Sequence, residues 1–386
     1  MIQKRVLKEF NGIKLKQARS IRNMTLQELA QLIGVKHQAI SKYENGKSIP
    51  NGEKIQLLAK ILSFEPSFFY TEGIDSSYFD NSFIFRSKAG IAKKYKEQTQ
   101  NQMWLVNNMV RNIENKIHLP KFDLSLLRQQ TQDHFSPTSE DEIEELAASV
   151  RRKFRMGDGP IGNLTAVCEK LGVIISYQNL DHQGIDACSV LIEDRPYIIL
   201  NNERKSAARI RFNIAHELGH ILLHSKYSIR EINKNINSKR LEYEANRFAA
   251  ALLMPESGIA KDLSALGLDF LIILKKHWKV SLQAIIYRAE QLEIFTSEYS
   301  LYMRQQISRK KWRNKEPLDD EIPLEKPKLL KHAVQYLNEK HYFSISELSF
   351  ETGITEMELK MLCSIEDPLA FNSFHKETSN LLKRIK

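Results

Sequence analysis

Residues 212–224 have the sequence FNIAHELGHILLH and contain the pentad HELGH at 216–220. Because residues four apart lie on the same face of an α-helix, His216 and His220 are close enough to share one metal ion. Glu217 follows the first histidine, where its carboxylate can reach a metal-bound water. The apolar surroundings predict a buried helix, in which two polar imidazoles need partners. The pentad therefore indicates zinc-assisted hydrolysis, with two imidazole ligands and a carboxylate base.

A third zinc ligand is predicted 22 residues downstream of the pentad, in a second apolar helix over residues 241–254 that Pro255 ends. Glu242 and Asn246 are four residues apart, so both can point at the first helix. Glu242 would complete a His-His-Glu set, and Asn246 would hydrogen-bond a ligand histidine. Glu244 lies about 200° away around the helix and is expected to face elsewhere.

His224 continues the histidine series two turns after His216. At about 12 Å along the helix axis it is too far away to share the metal. The preferred interpretation is a structural or pocket-lining histidine with satisfied hydrogen bonds.

Length and composition limit the classes of protein to consider. A chain of 386 residues with 42% hydrophobic and 27% charged residues should hold two or three soluble domains. No apolar run approaches the ~20 residues of a membrane span, and the N-terminus leads into no apolar signal region. Three scattered cysteines favour a reducing cytoplasm and exclude a thiolate metal site. We therefore expect a cytoplasmic protein.

The N-terminal segment carries most of the net charge of +10. Residues 1–70 contain 12 Lys and Arg against five Glu, a net charge of +7. Such a charge fits either a solvated helical surface or a nucleic-acid footprint. Thr25 and Glu28 predict a capping box for a helix that ends at Gly34. A third helix is predicted over residues 36–43, and a fourth over 55–62.

This segment resembles the XRE, or Cro/CI-type, helix-turn-helix family over about 55 residues, from TLQELA at 25–30 through Gly34 and ISKYENG at 40–46 to Pro50. The resemblance implies that the helix over residues 36–43 docks in the major groove of DNA. Its outward side chains would reach base edges or phosphates: Lys36, His37, Gln38, Ser41 and Lys42. Leu26 departs from the family, which often has a DNA-contacting Gln there, so a protein-binding role stays open.

The middle of the chain predicts a mixed fold. Residues 78–86 are aromatic and predict a strand or an anchor between domains, residues 88–117 predict a long basic helix, and residues 134–139 a linker. Three short strands are predicted over 173–177, 188–192 and 197–200, directly before the HELGH helix. An edge strand at this place could bind an extended peptide.

From residue 140 to about 320 the chain resembles the ImmA/IrrE family of metallopeptidases. The motifs that carry this resemblance are SAARIRF at 206–212, the HELGH pentad, ExEANxFA from Glu242, LMP at 253–255 and WRxxEP from Trp312. The resemblance implies a gluzincin-like zinc endopeptidase that acts on repressor-type transcription factors. It also implies His216, His220 and Glu242 as ligands and Glu217 as the catalytic base.

The expected fold is multidomain and mainly α with a small β-sheet. It comprises an N-terminal five-helix-type helix-turn-helix domain (8–70), a helical linker region (71–140), an α+β gluzincin-like metallopeptidase domain (141–320) and a helical C-terminal module (321–386). Residues 325–375 favour a plain helical cap or interaction domain over a second helix-turn-helix. His277 and Tyr287 are both candidates for stabilising the oxyanion.

The expected function is a zinc-dependent endopeptidase fused to a DNA-binding regulator, whose partners are double-stranded DNA and a repressor-type protein substrate. A homodimer stays open, and no membrane partner is expected. One alternative is a regulator whose metal site is a sensor or remnant without turnover. Another keeps the peptidase but makes the N-terminal domain bind a repressor homologue in place of DNA.

Overall fold

The computed structural model describes most of the chain, in seven ranges: 9–71, 93–127, 134–180, 185–201, 206–232, 234–263 and 267–365. The aromatic segment predicted at 78–86 lies outside these ranges. The fold is mainly helical with one small sheet, which confirms the predicted class.

The N-terminal domain is formed by four α-helices and a 3₁₀ helix: α1 (Gly12–Ile21), α2 (Leu26–Ile33), α3 (His37–Glu44), α4 (Gly52–Leu62) and Pro66–Tyr70. The predicted capping box is present, since Thr25 and Glu28 bond to each other's backbone N–H groups. Gly34 ends α2 at a φ of 66°, in the left-handed region that favours glycine. Local capping chemistry thus sets the ends of α2, as the sequence predicts.

The part of the chain from residue 93 to residue 309 places a three-stranded sheet among helices. Its helices are α5 (Lys93–Glu114), α6 (Glu140–Lys153), α7 (Leu164–Lys170), α8 (Ala207–His224), α9 (Ile229–Ile232), α10 (Asn235–Leu253), α11 (Glu256–Asp262), α12 (Leu268–Trp278), α13 (Leu282–Gln291) and α14 (Ser297–Arg309). Its strands are β1 (Ile174–Gln178), β2 (Ala187–Ile192) and β3 (Arg195–Asn201). The strand order is β1-β3-β2, with β1 parallel and β2 antiparallel to β3. Among the described residues, the strand β2 is therefore at an edge of the sheet.

The sheet separates two hydrophobic cores. Along β3, Tyr197 and Ile199 pack into the core of the N-terminal domain, whereas Ile198 and Leu200 pack into the core that contains α8 and α10. Successive side chains of a strand point to opposite faces of a sheet. Neighbouring residues of β3 therefore belong alternately to the two cores.

The C-terminal module packs on the N-terminal domain. It consists of α15 (Leu329–Glu339), α16 (Ile345–Thr352) and α17 (Glu356–Leu362), and its apolar residues share one core with α1–α5. The N–H of Glu65 donates to the Gly353 carbonyl at 2.9 Å. Arg22 donates two hydrogen bonds to the Glu358 carboxylate, and both side chains are almost fully buried. The module is thus a helical cap on the helix-turn-helix domain.

The helix α6 is capped by Ser139 and begins at Glu140. The segment 134–139, predicted as a linker, is anchored at its end, since Thr138 is buried and its N–H donates to Glu244. No helix in the described part of the chain has the length and apolarity needed to cross a membrane.

Candidate metal centre and DNA-binding surface

The helices α8 and α10 pack against each other more extensively than any other pair of described helices. Gly219 makes this close approach possible. A Cβ at that position would lie 3.0 Å from the Phe248 ring and 3.2 Å from the Ala245 carbonyl oxygen. A larger residue would push α10 away, because such distances are shorter than ordinary van der Waals contact. The second variable position of the pentad therefore controls how near the two helices come.

This packing brings three potential metal ligands together, which we call the metal group: His216, His220 and Glu242. One ligand atom from each side chain lies within 4.8 Å of the others. The Nε2 atoms of the two histidines are 3.0 Å apart, and the carboxylate of Glu242 lies 3.4 Å from Nε2 of His220 and 3.7 Å from Nε2 of His216. Among the described residues, the structure thus groups the three side chains that the sequence singled out.

The donor set fits a zinc ion of the catalytic kind. Two imidazole nitrogens and one carboxylate oxygen are a set that catalytic zinc sites use, whereas closed structural sites take four protein ligands. The side chain of His220 is only 3% exposed, but that of Glu242 is 42% exposed. The metal group is therefore buried on the α8 side and open to solvent on the α10 side.

The carboxylate of Glu217 is held by the sheet. Ser189 of β2 donates from Oγ to Glu217 Oε2 at 2.5 Å, and both residues are buried. Ser189 faces α8 because it alternates with Cys188 and Val190, which pack into the opposite core. Sequence reasoning missed this serine, although the strand alternation combined with the later helix offered a signal for it.

Each histidine of the metal group has a hydrogen-bond partner at its other ring nitrogen. Nδ1 of His216 lies 2.9 Å from Oδ1 of Asn246, as the spacing of Glu242 and Asn246 predicted. Nδ1 of His220 lies 2.9 Å from Nδ1 of His224. The expected structural role of His224 therefore includes direct contact with a candidate ligand.

The expectation that Glu244 faces away from the first helix is wrong. Glu244 stays outside the metal group, but it is fully buried and its Oε2 lies 3.2 Å from Nε2 of His224. The reason is that α8 extends past the pentad, so its last turn meets a second face of α10. Burial by itself raises the pKa of Glu244, but hydrogen bonds from His224, Arg240 and Thr138 outweigh it and lower the pKa below its usual value.

A cavity of about 500 Å³ lies beside Asn246, the residue that contacts His216. Asn213, Asn246 and Tyr287 line it, together with Arg209 and Arg313. Burial raises the pKa of Tyr287, so its phenol stays protonated at neutral pH. His277, the other residue considered for an oxyanion role, is not among the lining residues and lies 3.8 Å from Asp262.

The WRxxEP segment contributes both Arg313 and Glu316 to the lining of the cavity, and Glu316 also has a structural role. Glu316 is buried and accepts hydrogen bonds from Lys275 and from the N–H of Leu282, which holds the start of α13. Arg313 lines the cavity beside Asn213. This segment therefore positions α13, the helix that carries Tyr287.

The third helix of the N-terminal domain displays the side chains predicted to contact DNA. Lys36 caps the helix, and Lys36, His37, Gln38 and Lys42 are exposed. Ser41 is half-buried, and its hydroxyl lies 3.4 Å from the Asn45 amide nitrogen. Leu26 is also half-buried and packs against the domain core, so it presents apolar surface where the family often has a polar contact. The arrangement leaves four polar side chains of α3 directed at solvent.

Comparison with known proteins identifies both domains. Residues 15–69 match a family model described as helix-turn-helix, and residues 168–290 match a peptidase family described as IrrE N-terminal-like domain. The HTH-type transcriptional activator BcrR of Enterococcus faecalis is 44% identical over 55 residues, which are 14% of this chain and 26% of that protein. The uncharacterized HTH-type transcriptional regulator y4wC of Sinorhizobium fredii is 33% identical over 64 residues, 17% of this chain and 45% of that protein.

The matches cover less than half of either relative's own length. They support the N-terminal domain alone, and the family model supports the metallopeptidase-like part. The chain therefore combines an XRE-type helix-turn-helix domain with a metallopeptidase-like domain of the ImmA/IrrE type.

Proposed function

We propose that this protein is a DNA-binding transcriptional regulator fused to a zinc-dependent endopeptidase, and that the peptidase cleaves a repressor-type regulatory protein. The observation that carries the proposal is the grouping of His216, His220 and Glu242 beside a buried carboxylate, Glu217. The helix-turn-helix match points to a regulatory setting, which favours a regulatory protein as the substrate.

Zinc in this site would supply Lewis acidity, which polarises a carbonyl and makes water a nucleophile near neutral pH. The residues of the chain provide the proton transfers and the orientation. Glu217 would take a proton from the attacking water and pass it to the leaving amine nitrogen. The Ser189 hydroxyl would orient that carboxylate through its hydrogen bond to Oε2. Tyr287, which lines the cavity and is kept protonated by burial, would donate its O–H to the developing oxyanion.

The substrate would bind in extended form along the sheet. The strand β2 is an edge strand and carries Ser189, the partner of the catalytic carboxylate. An added peptide strand would make backbone hydrogen bonds, and the cavity beside Asn213 would take side chains. Sequence preference would then depend on the cavity residues Arg209, Arg313 and Tyr287.

Co-expression with the transcription regulators encoded near this gene tests the proposal. Wild type should convert one regulator into two fragments, and Glu217→Gln should leave it intact, because the amide cannot accept the proton. Zinc content should be equal in both proteins. Glu298→Gln, which neutralises an exposed carboxylate outside the site, is the matched control. Equal cleavage by Glu217→Gln and wild type would contradict the mechanism.

The alternative is a regulator whose metal site senses a ligand and does not turn over. It predicts bound zinc and no fragment of any neighbouring regulator with either protein. DNA binding is tested separately, by measuring affinity for upstream DNA as salt is varied. A steep loss of affinity with salt supports phosphate contacts by α3, and no binding at low salt would favour a protein partner for the N-terminal domain.

A further inference from the structure

A buried row of hydrogen-bonding groups leads away from the metal group. Nδ1 of His220 lies 2.9 Å from Nδ1 of His224, whose Nε2 lies 3.2 Å from Oε2 of Glu244. His220 is 2% exposed, and the other two residues are fully buried. Water therefore cannot replace any partner in the row.

The positions of the protons in this row follow from the role of His220. Its Nε2 faces the metal group and must carry a lone pair to bind a metal, so its proton is on Nδ1. That N–H donates to Nδ1 of His224, which must accept. The proton of neutral His224 is then on Nε2 and is donated to the carboxylate of Glu244. Only one arrangement satisfies every donor and acceptor.

Glu244 is itself fixed by two further donors. The N–H of Thr138 donates to Oε1 at 2.9 Å, and Nε of Arg240 donates to the same oxygen at 2.9 Å. Arg240 also donates to the carbonyl oxygen of Thr138 at 2.6 Å, which closes the set. The far end of the row is thus a carboxylate whose position is determined by the segment before α6 and by α10.

We propose that His224 and Glu244 are positioning residues, which hold His220 in the tautomer and orientation that present Nε2 to the metal. The inference rests on the zinc centre of the proposed function and names two residues outside its ligand set. A ligand histidine whose other N–H is hydrogen-bonded is a better metal donor, and a carboxylate behind it raises its basicity. His216 has a different arrangement, because its Nδ1 lies against the neutral amide oxygen of Asn246. His220 is therefore the more strongly supported ligand of the two.

The test measures zinc affinity of the full-length protein by competition with a chromophoric chelator. His224→Phe keeps an aromatic ring but removes the acceptor for His220, and it should weaken zinc binding about 10- to 100-fold. His224→Asn offers an oxygen near the position of Nδ1 and should recover most of the affinity. Glu244→Gln keeps the shape of the side chain but introduces an amide among three donors, and should weaken binding about tenfold.

Leu223→Ala is the matched control, because it removes a fully buried side chain next to His224 and has no polar group to offer His220. It should lower the unfolding temperature and leave zinc affinity unchanged. Zinc affinities of His224→Phe and Glu244→Gln equal to wild type, or lowered only as far as in Leu223→Ala, would overturn the proposal. If His224→Phe does not fold, Glu244→Gln compared with Leu223→Ala decides. Failure of wild type to bind zinc would instead contradict the metal centre itself.

Discussion

The metal group and the helix α3, which carries candidate DNA contacts, differ in how many elements supply their side chains and in how exposed those side chains are. The metal group joins side chains from α8 and α10; its histidines are hydrogen-bonded, and His220 is buried. The candidate DNA-contacting residues lie on or directly before one short helix, and four of the five are exposed. A metal site needs fixed geometry from several elements, whereas groove recognition needs side chains free to reach a partner.

The two regions are also joined. The sheet contributes one face to each core, and Ser189, which contacts Glu217, lies between Cys188 and Val190 of the other core. The C-terminal module ties the N-terminal domain to the same sheet, since Ser176 of β1 donates to the carbonyl oxygen of Leu362 at 3.1 Å. A change in one region can therefore affect the other through the sheet or the C-terminal module.

The largest expected effect comes from metal removal. Chelation should lower cleavage of the protein substrate about 10³-fold, because several kcal/mol of transition-state stabilisation are lost. DNA affinity measured on the same sample should change by less than about twofold, because α3 packs in the other core. A parallel loss of DNA affinity would show that the sheet couples the regions. Re-addition of zinc is the control.

Gly353→Ala should separate the C-terminal module from the N-terminal domain. Gly353 has a φ of +71°, and a Cβ there would lie 2.3 Å from the Cα of Phe68. We expect a loss of about 3 kcal/mol or more in urea unfolding. Gly34→Ala is the matched control, with a φ of +66° and nothing within 4 Å. It should cost only the conformational ~1–2 kcal/mol, and equal losses would contradict tight docking of the module.

Glu358→Gln should weaken the same junction by a smaller amount. The change removes the charge opposite Arg22 and one of two acceptors, in a pair whose side chains are 7% and 11% exposed. We expect about 2 kcal/mol of destabilisation in urea unfolding, and unchanged zinc affinity. Glu356→Gln, on an exposed face of the same helix, should cost less than ~0.5 kcal/mol. A loss of zinc affinity in Glu358→Gln would again indicate coupling through the sheet.

The smallest effect is expected for Lys42→Ala. If this exposed side chain contacts a phosphate, its removal should weaken binding several-fold on all DNA sequences and lower the salt dependence by about one counterion. Lys60→Ala removes an exposed charge on α4, outside the helix α3, and should leave the salt slope unchanged. Identical slopes for Lys42→Ala and wild type would remove this residue from the interface.

Sequence reasoning found the parts of the site that follow helix periodicity. His216 and His220 are one turn apart, and so are Glu242 and Asn246, which suffices to place each pair on one face. The contacts of Ser189 with Glu217 and of Glu244 with His224 were not predicted, because the partners lie 28 and 20 residues away in the chain, on other elements. Rotation around a single helix correctly kept Glu244 out of the metal group. The same argument could not show that a later turn of α8, which carries His224, would pack against Glu244.

The sequence by itself determined the two domain types, the ends of α2 and the three candidate metal ligands, because these depend on local spacing and capping chemistry. Tertiary structure alone decided what surrounds them. It placed the sheet between two cores, put the C-terminal module on the N-terminal domain, and joined His220 to Glu244 through His224. These contacts link residues distant in the chain, and their formation depends on the packing of whole helices, which local patterns do not encode.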